Sequence, residues 1–208
     1  PNGTGTPLPR SGATTWVGVD GKLWMFGGIG RDSSAKAIGQ LNDLWNYDPN
    51  TQVWTFVGGG TALRGTGIYG TLGSPASGNV PGARSQAVGW TDAHGDLYLF
   101  GGNGIASVVG KLGLLNDLWK FDVSLGQWTH LKGSNLVASP ANYGTKGVVA
   151  SSNTPGARSG ATAWVGRYGK FWMFGGNNNN DLWKYDPATN NWVHEAGQTK
   201  AGAKGVYV

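Results

Sequence analysis

The chain has 208 residues, of which 38 are Gly and 11 are Trp, and only 13% carry a charged side chain. This composition excludes a disordered polar chain, and the absence of a Gly-X-Y period excludes a collagen-like one. The lack of Cys excludes disulfides and thiol chemistry, no apolar run approaches the roughly 18 residues of a membrane span, and the net charge of +5 permits an acidic partner without requiring one.

The first predicted elements are four short β-strands, at residues 13–17, 23–26, 44–47 and 53–56. Each run is rich in β-branched and aromatic residues and lacks the 3.6-residue period of a helix. Asp-Gly and Asp-Pro pairs supply the backbone geometry for tight turns between strands. Gly27 and Gly28 end the second strand, and a long loop at 29–42 precedes the third.

The same unit recurs twice along the chain. Arg10 has counterparts at Arg84 and Arg158, each 74 residues further on. An Asp-Leu-Trp motif begins at residues 43, 117 and 181, so the third copy has lost ten residues before this motif. Four antiparallel strands per repeat form a blade, and stacked blades form a propeller. We predict one all-β region with blades at 10–57, 84–131 and 158–196, connections at 58–83 and 132–157, and a truncated connection at 197–208.

The motifs of each unit resemble kelch repeats. These are Arg-Ser-Gly/Gln-Ala at the first strand, Gly-Gly after the second, Asp-Leu-Trp-x-Tyr/Phe-Asp on the third and Trp on the fourth. The resemblance covers nearly the whole chain, but each unit exceeds the usual repeat of about 50 residues through two long insertions. It implies a β-propeller. Likeness to large bacterial surface kelch proteins implies an extracellular or cell-surface location, with the cytoplasm as the alternative.

The tryptophans suggest a ring-stacking surface for sugars or bases, but their positions argue for packing. All eleven fall into four columns of the repeat, one on each strand, so none is left over for a separate ligand site. The columns contain residues 16, 90 and 164; 24 and 172; 45, 119 and 183; and 54, 128 and 192. We therefore expect these side chains to fill the space between neighbouring blades.

Candidate catalytic groups are few. Nine of the eleven acidic residues belong to repeat columns or turns, where Asp normally binds its own backbone, and only Asp32 and Glu195 do not. His130 and His194 share one repeat position, predicted to be a half-exposed strand end, and no metal-ligand set accompanies them. Galactose oxidase, a kelch-type enzyme, needs a Cys-linked Tyr radical, which this chain cannot form. We predict a non-enzymatic protein without cofactor or metal.

The long loops are predicted to share one face of the propeller. In an antiparallel blade, the loop after strand two and the connection to the next blade emerge on the same side, and these are the long ones here. These loops carry more basic than acidic residues, which predicts a protein or an acidic polymer as partner. They contain no dense run of basic residues, so the sequence does not indicate nucleic acid. The candidate binding residues on this face are Arg31, Arg64, Lys111, Lys146, Tyr69 and Tyr143.

Two sets of these candidates have an alternative, structural interpretation. Tyr69 and Tyr143 each lie fifteen residues after a strand-four Trp, a spacing that Tyr207 repeats, and this favours a role in pinning the loop to the blade. The three repeated arginines, Arg10, Arg84 and Arg158, could bind an anion at the channel mouth. We favour pairing of each with the Asp of the Asp-Leu-Trp motif, because buried Arg is usually neutralised.

Three blades are too few to close a propeller, which needs about four to eight. They leave apolar sheet faces open to association. Residues 11–28 of the first repeat match residues 159–176 of the third at 14 of 18 positions, but match residues 85–102 of the second at only 8. The first repeat is therefore more similar to the third than to its neighbour. We expect a fragment of a longer array, or a protomer that pairs with a second copy into a six-bladed ring. The predicted function is a non-catalytic binding or structural module. The alternative is a carbohydrate-active or epimerase-like domain with a site at the channel mouth.

Overall fold

A computed structural model of the chain describes residues 3–31 and 37–205. In this part, regular structure consists of β-strands and one short 3₁₀ turn at Arg167–Gly169, which confirms the all-β prediction. The strands are β1 (Gly3–Gly5), β2 (Arg10–Ser11), β3 (Thr14–Val17), β4 (Leu23–Arg31), β5 (Ile38–Asp48), β6 (Val53–Gly58), β7 (Arg84–Ser85), β8 (Val88–Thr91), β9 (Leu97–Ile105), β10 (Leu112–Asp122), β11 (Gln127–Lys132), β12 (Thr162–Val165), β13 (Phe171–Phe174), β14 (Leu182–Asp186) and β15 (Asn191–Ala196). Nothing helical in the described ranges is long or apolar enough to cross a bilayer.

The strands form three antiparallel sheets, one for each repeat. The first sheet has the order β1-β6-β5-β4-β2, with β3 also paired to β4. The second has the order β11-β10-β9-β7, with β8 paired to β9, and the third has the order β12-β13-β14-β15. Turn carboxylates accept backbone hydrogen bonds two residues on, as Asp48 does from Asn50 at 2.9 Å. Each sheet contains the four-stranded meander that the repeat predicts, and the first two sheets carry additional short strands.

Aromatic side chains fill both junctions between sheets. Trp16 and Trp24 of the first sheet pack with Trp119 and Trp128 of the second in one buried cluster. An equivalent cluster joins the second and third sheets. The indole Nε1 of Trp16 also donates to a backbone carbonyl of the second sheet, Tyr98 O, at 2.9 Å. The packing role is thus confirmed at the two internal junctions.

The predicted loops at 29–42 and 103–116 are wrong over most of their length. Strands β4 and β5 continue beyond the blade as a long hairpin, and β9 and β10 do the same. The hairpin starts at a bulge where Gly27 and Gly28 have φ of +66° and +97°. A Cβ on Gly27 would lie 2.6 Å from Arg84 O, so only Gly fits there. The ten residues missing from the third repeat are this hairpin extension.

The long connections lie against these hairpins. Arg64 N donates to Gln40 O, and Ala138 N donates to Leu114 O, each at 2.8 Å. Each connection then follows the outer strand of the next sheet, where Ala76 bridges to Trp128 and Ala150 bridges to Trp192. The hairpins and the first part of each connection therefore lie together, and we call the surface formed by the hairpins and connections the loop face.

Candidate functional site

The second sheet contains a buried cluster around one carboxylate. Arg84 donates from Nη1 and Nη2 to the two oxygens of Asp117, at 2.6 and 2.8 Å. The indole Nε1 of Trp119 donates to Asp117 Oδ2 at 2.8 Å. The hydroxyl of Tyr69, from the preceding connection, donates to the same oxygen at 2.7 Å. The cluster joins β7, β10 and the preceding connection in one hydrogen-bonded unit.

The third sheet repeats the cluster. Arg158 binds Asp181 through two hydrogen bonds of 2.6 and 2.9 Å, and Trp183 Nε1 donates to Asp181 Oδ2 at 2.8 Å. Tyr143 donates its hydroxyl to Asp181 Oδ2 at 2.9 Å. Both tyrosines therefore pin a connection to the next blade, as their spacing favours, and their hydroxyls face the interior of the fold.

The first sheet has the same carboxylate, arginine and indole, but an open pocket beside them. Arg10 donates to Asp43 at 2.5 and 2.8 Å, and Trp45 Nε1 donates to Asp43 Oδ2 at 2.7 Å. A pocket of about 370 Å³ adjoins this group. Its lining comprises Gly5, Thr6, Leu8, Arg10, Arg31, Leu41, Asp43, Trp45, Phe56 and Thr61.

All three repeated arginines pair with the aspartates that the sequence favoured. Each also donates to backbone carbonyls, as Arg84 does to Gly82 O at 2.9 Å and Gly101 O at 3.0 Å. Arg84 and Arg158 are fully buried and Arg10 is nearly so. These contacts hold the guanidinium groups inside the fold, which leaves the idea of an anion site at the channel mouth without support.

The electrostatics of the clusters fix their protonation states. Burial by itself would raise the pKa of Asp117, but Arg84 and the hydrogen bonds from Trp119 and Tyr69 outweigh it and hold the pKa below its usual value. The same balance lowers the pKa of Asp181. Burial and the adjacent carboxylate raise the pKa of Tyr143 to about 12. These shifts favour charged carboxylates and neutral phenols near neutral pH, the forms in which the hydrogen bonds of the two clusters are made.

The prediction of half-exposed histidines is wrong, because both are buried. His130 lies against the rings of Tyr69 and Trp119, with centroid distances of 4.8 and 5.2 Å. His194 packs in the same way against Tyr143 in the third sheet. The connection that carries each tyrosine covers the strand end, and burial lowers the pKa of His130 below its ordinary value. Phe56 occupies this position in the first sheet.

Asparagines that the sequence analysis did not single out also hold the connections. Asn42 Oδ1 accepts from Gly60 N at 3.2 Å, and Asn116 Oδ1 accepts from Ser134 N at 3.0 Å. Asn79 Nδ2 donates to the carbonyl of Trp128 at 2.9 Å. The signal for the first two was available, since Asn precedes Asp-Leu-Trp in every repeat.

The cationic candidates of the loop face are all exposed. Arg31 ends β4 and lines the pocket of the first sheet, while Arg64 lies in the first connection. Lys111 lies between β9 and β10, and Lys146 lies in the second connection. The sequence candidates Asp32 and Tyr207 lie outside the described residues.

A second, more polar pocket of about 310 Å³ lies between the turns of the second and third sheets. Ion pairs of Lys120 with Asp96 and of Lys170 with Asp186 line it, at 2.9 and 2.7 Å. Tyr168 borders it with a φ of +59° and an almost fully exposed ring. Within residues 3–31 and 37–205, no group of three or more His, Asp or Glu is placed to hold a metal ion.

Comparison with known proteins supports the fold more than any activity. No family model matches the chain. It is 29% identical to multiple epidermal growth factor-like domains protein 8 of Homo sapiens over 204 residues, which are 96% of this chain but 6% of that protein. A stretch of 47 residues, 22% of the chain, is 43% identical to 12% of N-acetylneuraminate epimerase from Yersinia enterocolitica. The chain therefore spans a small part of these curated relatives.

Among solved structures, YjhT is similar with a TM-score of 0.56 and 21% sequence identity. The similarity covers 92% of this chain and 53% of YjhT. At this level of identity the likeness concerns the fold. Together with the three antiparallel sheets, it defines the chain as a propeller-type all-β protein.

Proposed function

We propose that the chain is a non-catalytic, kelch-type binding and structural module whose open sheet faces associate with further blades, which a second copy of the chain can supply. The observation that carries the proposal is the pair of outward sheet faces. Each outward face bears the apolar residues whose repeat counterparts are packed at the internal junctions. The third sheet presents Trp164, Trp172, Phe174 and Leu182, and the first sheet presents Leu23, Met25, Trp45, Tyr47 and Trp54.

Exposure within one column illustrates the difference between mated and unmated faces. Trp16 and Trp90 are 5% and 2% exposed at the internal junctions, whereas their counterpart Trp164 is 50% exposed. Phe26 and Phe100 are each 1% exposed, whereas Phe174 is 44% exposed. Contiguous apolar surface of this kind marks an interaction site, and burying each ring removes about 150–250 Å² from water.

The repeat supplies the complementary surface. Trp16 is covered by one face of the second sheet. The repeat counterpart of that covering face is the outward face of the first sheet. A first sheet from a second copy can therefore cover Trp164 in the same way. Two chains of three blades give six blades, within the range of closed propellers. Closure of this kind also removes the exposed sheet faces.

The loop face provides the partner-binding surface of this proposal. Arg31, Arg64, Lys111 and Lys146 are exposed there, and they favour a protein or acidic polymer through long-range attraction. We also propose an extracellular or cell-surface location, which rests on the likeness to bacterial surface kelch proteins. Binding to heparin that weakens in Arg64→Ala and Lys146→Ala, but not in Lys22→Ala on the opposite turns, would support this use of the loop face.

Sedimentation velocity tests the assembly. We expect a two-chain species for the unmodified protein and a one-chain species for Trp164→Ser, with an unchanged circular dichroism spectrum. Leu125→Ser is the matched control, because Leu125 is equally exposed but lies in a turn outside both faces. A one-chain species for the unmodified protein at high micromolar concentration would contradict the proposal.

A carbohydrate-active or epimerase-like function is the second candidate. It is favoured by the short match to N-acetylneuraminate epimerase and by the polar pocket beside the exposed ring of Tyr168. Proton NMR of N-acetylneuraminate tests this function. Isomer exchange that the chain accelerates and that Tyr168→Ala abolishes would favour the enzyme, and unchanged spectra would favour the binding module.

A further inference from the structure

The described residues contain three equivalent carboxylate clusters, and the first lacks the tyrosine of the other two. In the second and third sheets, a tyrosine hydroxyl donates a further hydrogen bond to Asp117 and to Asp181, respectively. In the first sheet, Asp43 Oδ2 accepts from Arg10 and Trp45 in the same way. No tyrosine among the described residues lines the adjoining pocket.

The walls of this pocket match the surroundings of the two internal tyrosines. Tyr69 lies against Trp119 with a centroid distance of 4.9 Å, and Tyr143 lies 5.2 Å from Trp183. Trp45, the counterpart of both indoles, lines the pocket together with Phe56, which stands where the other sheets have His. The pocket therefore has an aromatic wall and a carboxylate at its base.

The chemistry of the pocket selects a phenol. Asp43 already pairs with Arg10, and Arg31 also lines the pocket, so charge balance does not call for a further cation. A neutral hydroxyl donor supplies the remaining hydrogen bond to Asp43 Oδ2, and an attached ring packs against the indole. Phenylalanine would fill the same space but would donate nothing to the carboxylate.

We propose that this pocket binds Tyr207 of a second copy of the chain. Tyr207 follows Trp192 by fifteen residues, the spacing that separates Tyr69 from Trp54 and Tyr143 from Trp128. In both internal cases the tyrosine enters the cluster of the next sheet. The inference rests on the proposed two-chain ring, in which the sheet that follows the third is the first sheet of the other copy. Each ring then contains two such contacts.

Sedimentation equilibrium of hydroxyl-deletion variants tests the contact in the assembly. We expect Tyr207→Phe to weaken two-chain association by about tenfold or more for each site, since a hydrogen bond to a charged group is lost. Tyr168→Phe is the control, because it removes one hydroxyl from an exposed ring. Equal association of Tyr207→Phe, Tyr168→Phe and the unmodified chain would overturn the inference while the proposed ring stands.

Calorimetric titration of the Trp164→Ser variant, which we expect to be a single chain, with a peptide of residues 195–208 tests the pocket without assembly. We expect one peptide to bind per chain, and the peptide with Phe at position 207 to bind about tenfold more weakly. Thr61→Trp places a large ring in the pocket while Arg10 and Asp43 are kept, and it should abolish binding. If the unmodified protein is a single chain but the peptide results hold, the ring fails and the pocket stands. Equal affinities of the Tyr and Phe peptides would overturn the pocket assignment.

Discussion

The first sheet and the second sheet carry the same arginine, aspartate and tryptophan, yet the two clusters have different surroundings. Asp117 is 0% exposed and is closed off by Tyr69, whereas Asp43 is 7% exposed and borders an open pocket. The repeated motif thus sets the ion pair, and the connection from the preceding sheet sets its burial. The comparison predicts that equal substitutions in the two sheets will have unequal effects.

The largest difference is expected for removal of the arginine. Arg84→Met leaves Asp117 buried without its partner, which should lower the free energy of unfolding by about 3–5 kcal/mol. Arg10→Met should lower it by clearly less, because water reaches Asp43 through the pocket. Urea denaturation followed by tryptophan fluorescence measures both. Equal losses of unfolding free energy in the two variants would show that Tyr69 has no influence on the burial of the Arg84–Asp117 ion pair.

A smaller effect is expected for removal of the tyrosine hydroxyl. Tyr69→Phe deletes a hydrogen bond to a buried carboxylate, so it should lower the free energy of unfolding by about 1.5–3 kcal/mol. Tyr143→Phe should lower it less, because Tyr143 is only half-buried. Denaturation of both variants beside Tyr168→Phe separates the lost contact from a general cost of the substitution. A loss below about 0.5 kcal/mol for Tyr69→Phe, the usual range of surface changes, would contradict a stabilising role for this hydrogen bond.

The smallest effect concerns pH. Burial lowers the pKa of His130 in the folded state, so the unfolded state binds a proton first as the pH falls below about 6.5. The contribution of His130 to stability is therefore present above pH 6.5 and is lost as the pH falls toward its folded pKa. His130→Phe, which copies Phe56 of the first sheet, should reduce the slope of stability against pH between about 6.5 and 5. An unchanged slope, with exposed His94→Gln as control, would contradict burial of a neutral His130.

The sequence predicted the repeated elements better than the contacts between them. The blades and the Arg10–Asp43 type of pairing follow from local strand patterns and from charges at fixed spacing. The hairpin extensions do not, because residues such as Gly39 and Asn42 interrupt the alternation that marks a strand. Burial of His130 was missed because the covering residue, Tyr69, lies far away in the sequence and on the connection from another sheet.

The central claim is that the outward face of the third sheet mates with the first sheet of a second copy, in the register of the internal junctions. At the first junction, Thr91 of the second sheet donates its hydroxyl to Val17 O at 3.1 Å. By the repeat spacing, Val165 should meet Val17 of the other copy, and both are exposed in the single chain.

The most direct measurement is cross-linking of the Val17→Cys/Val165→Cys variant with a short bismaleimide, in a chain that has no other Cys. We expect a covalent species of two chains on a denaturing gel, and none from either single-Cys variant. A single-chain band would contradict the mating of these faces, and a ladder of three or more chains would contradict the closed ring.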